Sequence, residues 1–388
     1  MMTLFSDDVR RNPYEVYDRM RAASPLFQDP ESGLFMVFDY DNVKRVLNDH
    51  EAFSSRIGPA DWMIFTDPPR HSKLRALISQ AFTPRSISNL EPRIRELSSE
   101  LLAPLIDHGE MDLVDDFSLQ LPMMVIAEML GAPVTDRPRF KRWNEVFLNM
   151  SYTVPGGAEA GGALNDFIAA TAEINEYLIT LVEERRAKPK DDLLTRLVQA
   201  EVDGERLSQQ DLVGFFQLLI LAGSETTTNL INNAIICFIE NPDQLARLRA
   251  SPQLLPGAIE EVLRCRSPLQ WMLRVARRDI ELHGQALPAG KVVLPMIGSA
   301  NRDPKIFREP NRFDITREPN PHIAFGHGIH FCIGAPLARV EGRIALSDLL
   351  NRIDNIHLAS SEPWEPRRGL HVHGPARLPI QFTSKASH

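Results

Sequence analysis

One stretch gathers more candidate chemistry than any other: Ala324-Phe-Gly-His-Gly-Ile-His-Phe-Cys-Ile-Gly-Ala-Pro-Leu-Ala-Arg339. Gly326, Gly328 and Gly334 permit a tight, positive-φ backbone, and Pro336 suits the first turn of a following helix. Cys332 is thereby expected just ahead of a helix N-terminus, where free N–H groups and the positive end of the dipole favour thiolate over thiol. A thiolate there is a strong anionic metal ligand. Three other chemistries compete: an inert buried cysteine, a nucleophilic cysteine, and a zinc site built from His322, His327, His330 and Cys332. Zinc prefers paired ligands at short spacing, and this segment has a single cysteine. A nucleophile wants a base and an oxyanion hole, and no assignable triad accompanies it.

A second segment breaks local rules inside a long apolar helix. Ser208 can cap that helix, Asp211 supplies the acidic partner three residues on, and Asn241-Pro242 stops it. At ~1.5 Å per residue it spans about 50 Å, enough to cross a domain. Its centre reads Gly223-Ser-Glu-Thr-Thr-Thr-Asn229, a poor helix former, β-branched residues and a carboxylate where burial is deepest. Such violations often mark function. The alternative is structural: the threonines back-bond to carbonyls and Glu225 pairs with a neighbouring helix.

The pattern Phe325-Gly-x-Gly-x-His-x-Cys-x-Gly-x-x-Leu-Ala-Arg resembles the haem-binding signature of the cytochrome P450 family. Further family signatures follow in the right order: Ala222-Gly-Ser-Glu-Thr-Thr, Glu261-Val-Leu-Arg264, and Pro310-Asn-Arg-Phe-Asp314. The resemblance covers nearly the whole chain and is closest to the soluble bacterial branch. It implies a mainly α fold with small β-sheets, one large domain over residues 1–388, and haem b held non-covalently with Cys332 as axial ligand. It further implies His71, Arg75, Arg274 and His330 as partners of the haem propionates, and Ala222, Gly223, Phe325, Gly326 and Gly334 as cofactor neighbours. Thr226 and Glu225 match the family's acid–alcohol pair for delivering protons to bound dioxygen. Glu261, Arg264 and Arg312 are expected to form a structural Glu–Arg–Arg network, tolerable in the interior only if every charge is paired. By family position, the pocket is lined by Trp62, Met63, Ile64 and Phe65, by Leu218 with Ala222, by Leu269, Gln270 and Met272, and by residues around His371. The implied activity is insertion of one oxygen atom from O2 into a mostly apolar organic substrate. A haem protein that binds ligands without turnover, or an isomerase or dehydratase using the same iron, remains the rival class.

These residues must be positioned by a body of helices. Helical periodicity dominates from about Asn89 to Arg266, with breaks at Gly131-Ala-Pro, Pro155 to Gly162 and Ala187-Lys-Pro-Lys. Strand-like alternation is confined to Leu34–Phe38, Ile280–Leu282, Val292–Leu294 and Leu378–Phe382. The glycine-rich Pro155–Gly162 segment is either a lid or a plain surface loop.

The chain has 388 residues, 43% hydrophobic and 24% charged, an ordinary globular mixture that leaves core burial unconstrained. Three scattered cysteines, Cys237, Cys265 and Cys332, exclude a disulfide framework and a four-cysteine iron–sulfur cluster. A net charge of −8 argues against nucleic acid as a partner. With no signal peptide and no apolar run long enough for a membrane anchor, a cytoplasmic protein, expected to be a monomer, fits. The chain has no cluster cysteines and no G-x-G-x-x-G, so electrons must come from a separate ferredoxin or flavodoxin with its NAD(P)H reductase. Residues 66–85 carry Arg70, Lys73, Arg75 and Arg85 against Asp67. That basic window, with Arg339 and Arg343, is the expected docking patch for an acidic donor.

Overall fold

A computed structural model describes residues 6–58, 62–152 and 160–385. Helices make the body: α1 (Arg70–Ala81), α2 (Gln120–Met129), α3 (Arg137–Tyr152), α4 (Ala160–Ala187), α5 (Gln209–Glu240), α6 (Leu255–Cys265) and α7 (Ala335–Arg352) carry the argument below. The strands lie at the margins. A five-stranded sheet runs in the order β1 (Leu26–Gln28), β2 (Phe35–Val37), β5 (Val292–Pro295), β4 (Arg274–Ala276), β3 (Phe53–Ser54), all neighbours antiparallel except β2 with β5. A second sheet joins Ile353–Leu358 to Pro379–Ser384 and that strand to Glu110–Asp112. The expected strand at Ile280–Leu282 forms a hairpin with Gln285–Leu287. All four strand-like stretches are therefore strands, short and beside turns.

Helix α5 is the axis. The Ser208 side chain accepts from Asp211 N and the Asp211 carboxylate accepts from Ser208 N, closing the capping box that the sequence announces. The helix packs against α2, α3, α4, α6 and α7, which explains why it is buried from Leu212 to Gln217 and from Thr227 to Phe238, with the accessible positions between those stretches confined to its centre. Among the described residues no helix is long and apolar enough to cross a membrane. Gly161 and Gly162 open α4 rather than lying in a loop; the rest of the expected glycine-rich segment, up to residue 159, lies outside the described residues.

The charged network at Glu261 departs from expectation in one member. Arg264 donates from Nε and Nη2 to both Glu261 oxygens at 2.8 Å, and both side chains are fully buried. The second arginine is Arg317, whose Nε lies 3.1 Å from both oxygens. Arg312 instead reaches outward to Glu309 at 3.4 Å with both side chains 57% exposed, while its carbonyl accepts from Arg264 and Arg317. The turn after Pro310 sends one side chain to solvent, and the chain comes back five residues later. Asp314 N and Asn320 Nδ2 complete the shell around Glu261. Arg317→Ala is expected to cost about 2–4 kcal/mol, because it strips a partner from a buried carboxylate, whereas Arg312→Ala stays within about 0.5 kcal/mol. Urea denaturation of the two variants checks the assignment.

Candidate active site

The Cys332 segment is built on two left-handed glycines, Gly326 at φ +75° and Gly328 at φ +73°. A Cβ at Gly328 would stand 2.9 Å from Asn48 Cα, so the residue is required on steric as well as torsional grounds. Gly334 differs: its φ of −81° is ordinary, and a Cβ there would lie 3.8 Å from Cys332 Sγ without clash. Cys332 N donates to Phe325 O at 2.9 Å, and the Cys332 carbonyl accepts from Ala335 N at the first turn of α7. The Phe325 ring lies 4.4 Å from the Arg339 guanidinium.

Solvent reaches Cys332, yet protein surrounds it closely enough that burial pushes its thiol above the usual range. The backbone N–H groups of Gly334 and Ala335 and the charges of Arg75 and Arg339 pull the other way without overcoming it. The helix start alone therefore does not make the thiolate expected from sequence; coordination to a metal does so outright. The zinc reading fails among the described residues, where no three His, Cys, Asp or Glu side chains could hold an ion. His322 is instead 2.9 Å from Glu260, which Arg339 also clasps.

The four cationic candidates converge from three elements. His71 and Arg75 stand one turn apart on α1, Arg274 begins β4, and His330 precedes the cysteine by two residues. The His71 and His330 rings are 4.2 Å apart. Burial, then the positive charge of Arg75, pushes His71 down to about 4; burial, then Arg274, pushes His330 down to about 3. Burial pushes Arg274 down to about 10. Both His71 ring nitrogens are buried without a hydrogen-bond partner. Among the described residues, the carboxylate acting on His71, His330 and Arg274 is Asp67, already engaged by Ser54 Oγ, Ser55 N and Arg277. A group of four bases, His71 and Arg274 buried and Arg75 and His330 half-buried, with both His71 nitrogens orphaned, fits a ligand bearing two carboxylates, as haem does.

Across α5, Leu218, Ala222 and Thr226 recur every fourth residue and form its accessible stripe. Thr226 Oγ1 donates to Ala222 O at 2.7 Å, and Thr228 and Ser224 back-bond in the same way, so the structural reading of these hydroxyls is partly right. It does not hold for Glu225, which pairs with no neighbouring helix among the described residues: its Oε1 is buried without a hydrogen bond, and burial lifts it to about 7 against the lowering effect of Arg367 from the C-terminal segment. No spacing in the sequence points to Arg367. Gly223 does not face the site, because a Cβ there would meet Ile126 Cδ1 on α2 at 2.8 Å. Its smallness serves helix packing.

Of the expected pocket residues, Trp62 and Phe65 stack at 6.0 Å and Trp62 Nε1 donates to Gln217 Oε1. Met63 is buried, Ile64 half-buried. Leu269 bridges Val372, Leu269 and Met272 pack against the apolar core, and the His371 ring lies 4.4 Å from Trp271, tilted by 47°. Gln270 is framework rather than pocket: it is buried, donates to Ser267 O, and fills the space that a side chain at Gly298 would need. The expected basic patch is largely neutralised, with Arg70 on Asp211, Lys73 on Glu205, Arg339 on Glu260 and Arg343 on Glu91.

Comparison with known proteins agrees with this arrangement. The model of the cytochrome P450 family matches residues 25–368. "Cytochrome P450 109" of Bacillus spizizenii is 42% identical over 99% of this chain and 95% of its own. Substrate-free CYP109E1 of Bacillus megaterium is 39% identical with a TM-score of 0.92 over 97% of this chain and all of its own; its corticosterone complex matches at 40% and 0.90 over 96% of this chain and 99% of its own. The chain belongs to the cytochrome P450 family, and is an oxidoreductase of the haem-thiolate monooxygenase class with non-covalent haem b.

Gly223→Ala is expected to lose about 1–3 kcal/mol by overpacking, and Ile126→Val, which removes the clashing Cδ1, to restore most of it. Glu225 carries a raised folded pKa, so its contribution is present below the unfolded value and lost as pH rises through about 7. Glu225→Gln should therefore stabilise the protein by ~1–3 kcal/mol at pH 8 and little at pH 4, measured by denaturation across that range.

Proposed function

We propose that this enzyme inserts one oxygen atom from O2 into a large, mostly apolar organic substrate, taking electrons from a separate ferredoxin or flavodoxin and its NAD(P)H reductase. The observation that carries the reading is the largely enclosed group of His71, Arg75, Arg274 and His330 beside an accessible Cys332. In this reading Cys332 gives its thiolate to the iron and the four bases hold the two propionates, each by charge-assisted hydrogen bonds. The haem, when bound, supplies the oxygen chemistry, with the thiolate favouring O–O cleavage.

What the chain itself does follows from its side chains. Glu225, poised near neutrality and buried, can hold a proton at Oε1 and release it within one residue of Thr226. Thr226 spends its own hydroxyl proton on Ala222 O, which leaves its lone pairs turned to accept. Leu218 and Ala222 keep the rest of that stripe apolar. The acid–alcohol pair is thus the polar element beside an otherwise apolar stripe, which is what directed proton delivery needs. The steroid bound by the CYP109E1 relative supports a substrate of that size and polarity. An apolar core cluster reaching from Met63 to Phe382 supports one haem domain over residues 1–388.

The reduced, CO-treated protein should show the strongly red-shifted Soret band of thiolate ligation, and Cys332→Ala should lose it; stoichiometric zinc without haem absorbance would sink the reading. Thr226→Ala should keep haem and substrate binding yet send about 10-fold or more of the reducing equivalents into peroxide relative to product. Oxygen and NAD(P)H consumption with surrogate redox proteins measures that ratio, and an unchanged ratio reduces Thr226 to a packing residue.

A further inference from the structure

A cleft of about 450 Å³ shares no lining residue with the Cys332 site. It lies between the N-terminal helical turns, the C-terminal ends of α5 and α6, and Trp364. Arg11, Arg266 and Arg302 line it against a single carboxylate, Glu240. Arg266, whose side chain is 11% exposed, meets both Glu240 oxygens through Nη2 alone. Its Nη1 is buried and has no hydrogen-bond partner. Tyr14 lines the same cleft at 4% exposure, and its hydroxyl is likewise buried without a partner. Arg302 lies 3.5 Å from the Tyr14 ring centroid and donates to Cys265 O and Asn311 Oδ1, with no carboxylate paired to it among the described residues. Arg11 bonds to Asp8 and to Trp364 O.

Buried donors are normally satisfied, and two unsatisfied ones on residues lining a single cleft of net positive charge favour an acceptor that carries negative charge. Burial lifts the Tyr14 hydroxyl to about 12, so it remains a donor at neutral pH. The volume falls within the range of small-molecule sites and exceeds what a bare ion fills, and Trp364 offers an aromatic wall. We propose that this cleft binds an oxyanion-bearing small molecule, its phosphate or carboxylate group accepting hydrogen bonds from Arg266 Nη1 and Tyr14 Oη. The site is separate from the monooxygenase chemistry and does not rest on it. Its occupancy would tie the N-terminal segment to the ends of α5 and α6, and so raise the stability of the folded chain by mass action.

The test uses the full haem-loaded protein at constant ionic strength, with chloride exchanged for inorganic phosphate in one arm and for succinate in the other. A saturable rise in thermal midpoint with either anion, weakened about tenfold in Tyr14→Phe while the haem spectrum stays wild type, supports the proposal and identifies the headgroup by the arm that responds. Arg266→Gln should weaken it at least as much, but also loses the bond to Glu240, so Tyr14→Phe is the decisive variant. No saturable response beyond chloride in either arm, or undiminished binding in Tyr14→Phe, would overturn it.

Discussion

Positive charge held in the interior is the constraint on which this structure turns. His71, Arg75, Arg274 and His330 stand together where, among the described residues, Asp67 alone answers them, and Asp67 is already shared among Ser54, Ser55 and Arg277. Four bases cannot be gathered in a low-dielectric site without cost, and the depressed His71 and His330 values are the form that cost takes: the imidazoles stay neutral. An anionic ligand reverses the balance, turning repulsion among the bases into shared attraction. Helix α1, strand β4 and the Cys332 segment are far apart in sequence, and bringing them together is what the marginal sheet and the helical body accomplish.

The opposite side of the site is governed by α5. Its capping box fixes the start, its burial fixes the path, and its centre carries groups that a purely structural helix would not use. Ser224 and Thr228 have become internal props, bonded to Ile220 and Ser224 carbonyls and to Asn144 and Ser118. Gly223 lets Ile126 approach. What is left over is Glu225, with an orphaned oxygen and a raised pKa, and Thr226, with accessible lone pairs. Function occupies the residues that packing does not claim.

Much of this was legible in the sequence for local reasons. Ser208 and Asp211 define a helix start, Gly326 and Gly328 define a left-handed loop, and short apolar alternations beside turns become strands, because each depends on near neighbours. The errors arise where partners come from afar. Arg317 rather than Arg312 completes the Glu261 network because a turn, not a spacing, decides which arginine points inward. Gln270 is claimed by the Ser267 carbonyl, and Arg70, Lys73 and Arg343 by acids on other elements, so a surplus of charge in one window became a set of surface pairs. Cys332 shows both sides: its place before α7 was readable, but the burial that raises its pKa was not.

Holding two carboxylates is the role proposed for His71, Arg75, Arg274 and His330. The most direct measurement compares the affinity of the haem-free protein for haem and for its dimethyl ester, which keeps the ring and the iron but removes both negative charges. Two charge-assisted contacts predict that the ester binds about 100-fold or more weakly. Equal affinity for the two would contradict it.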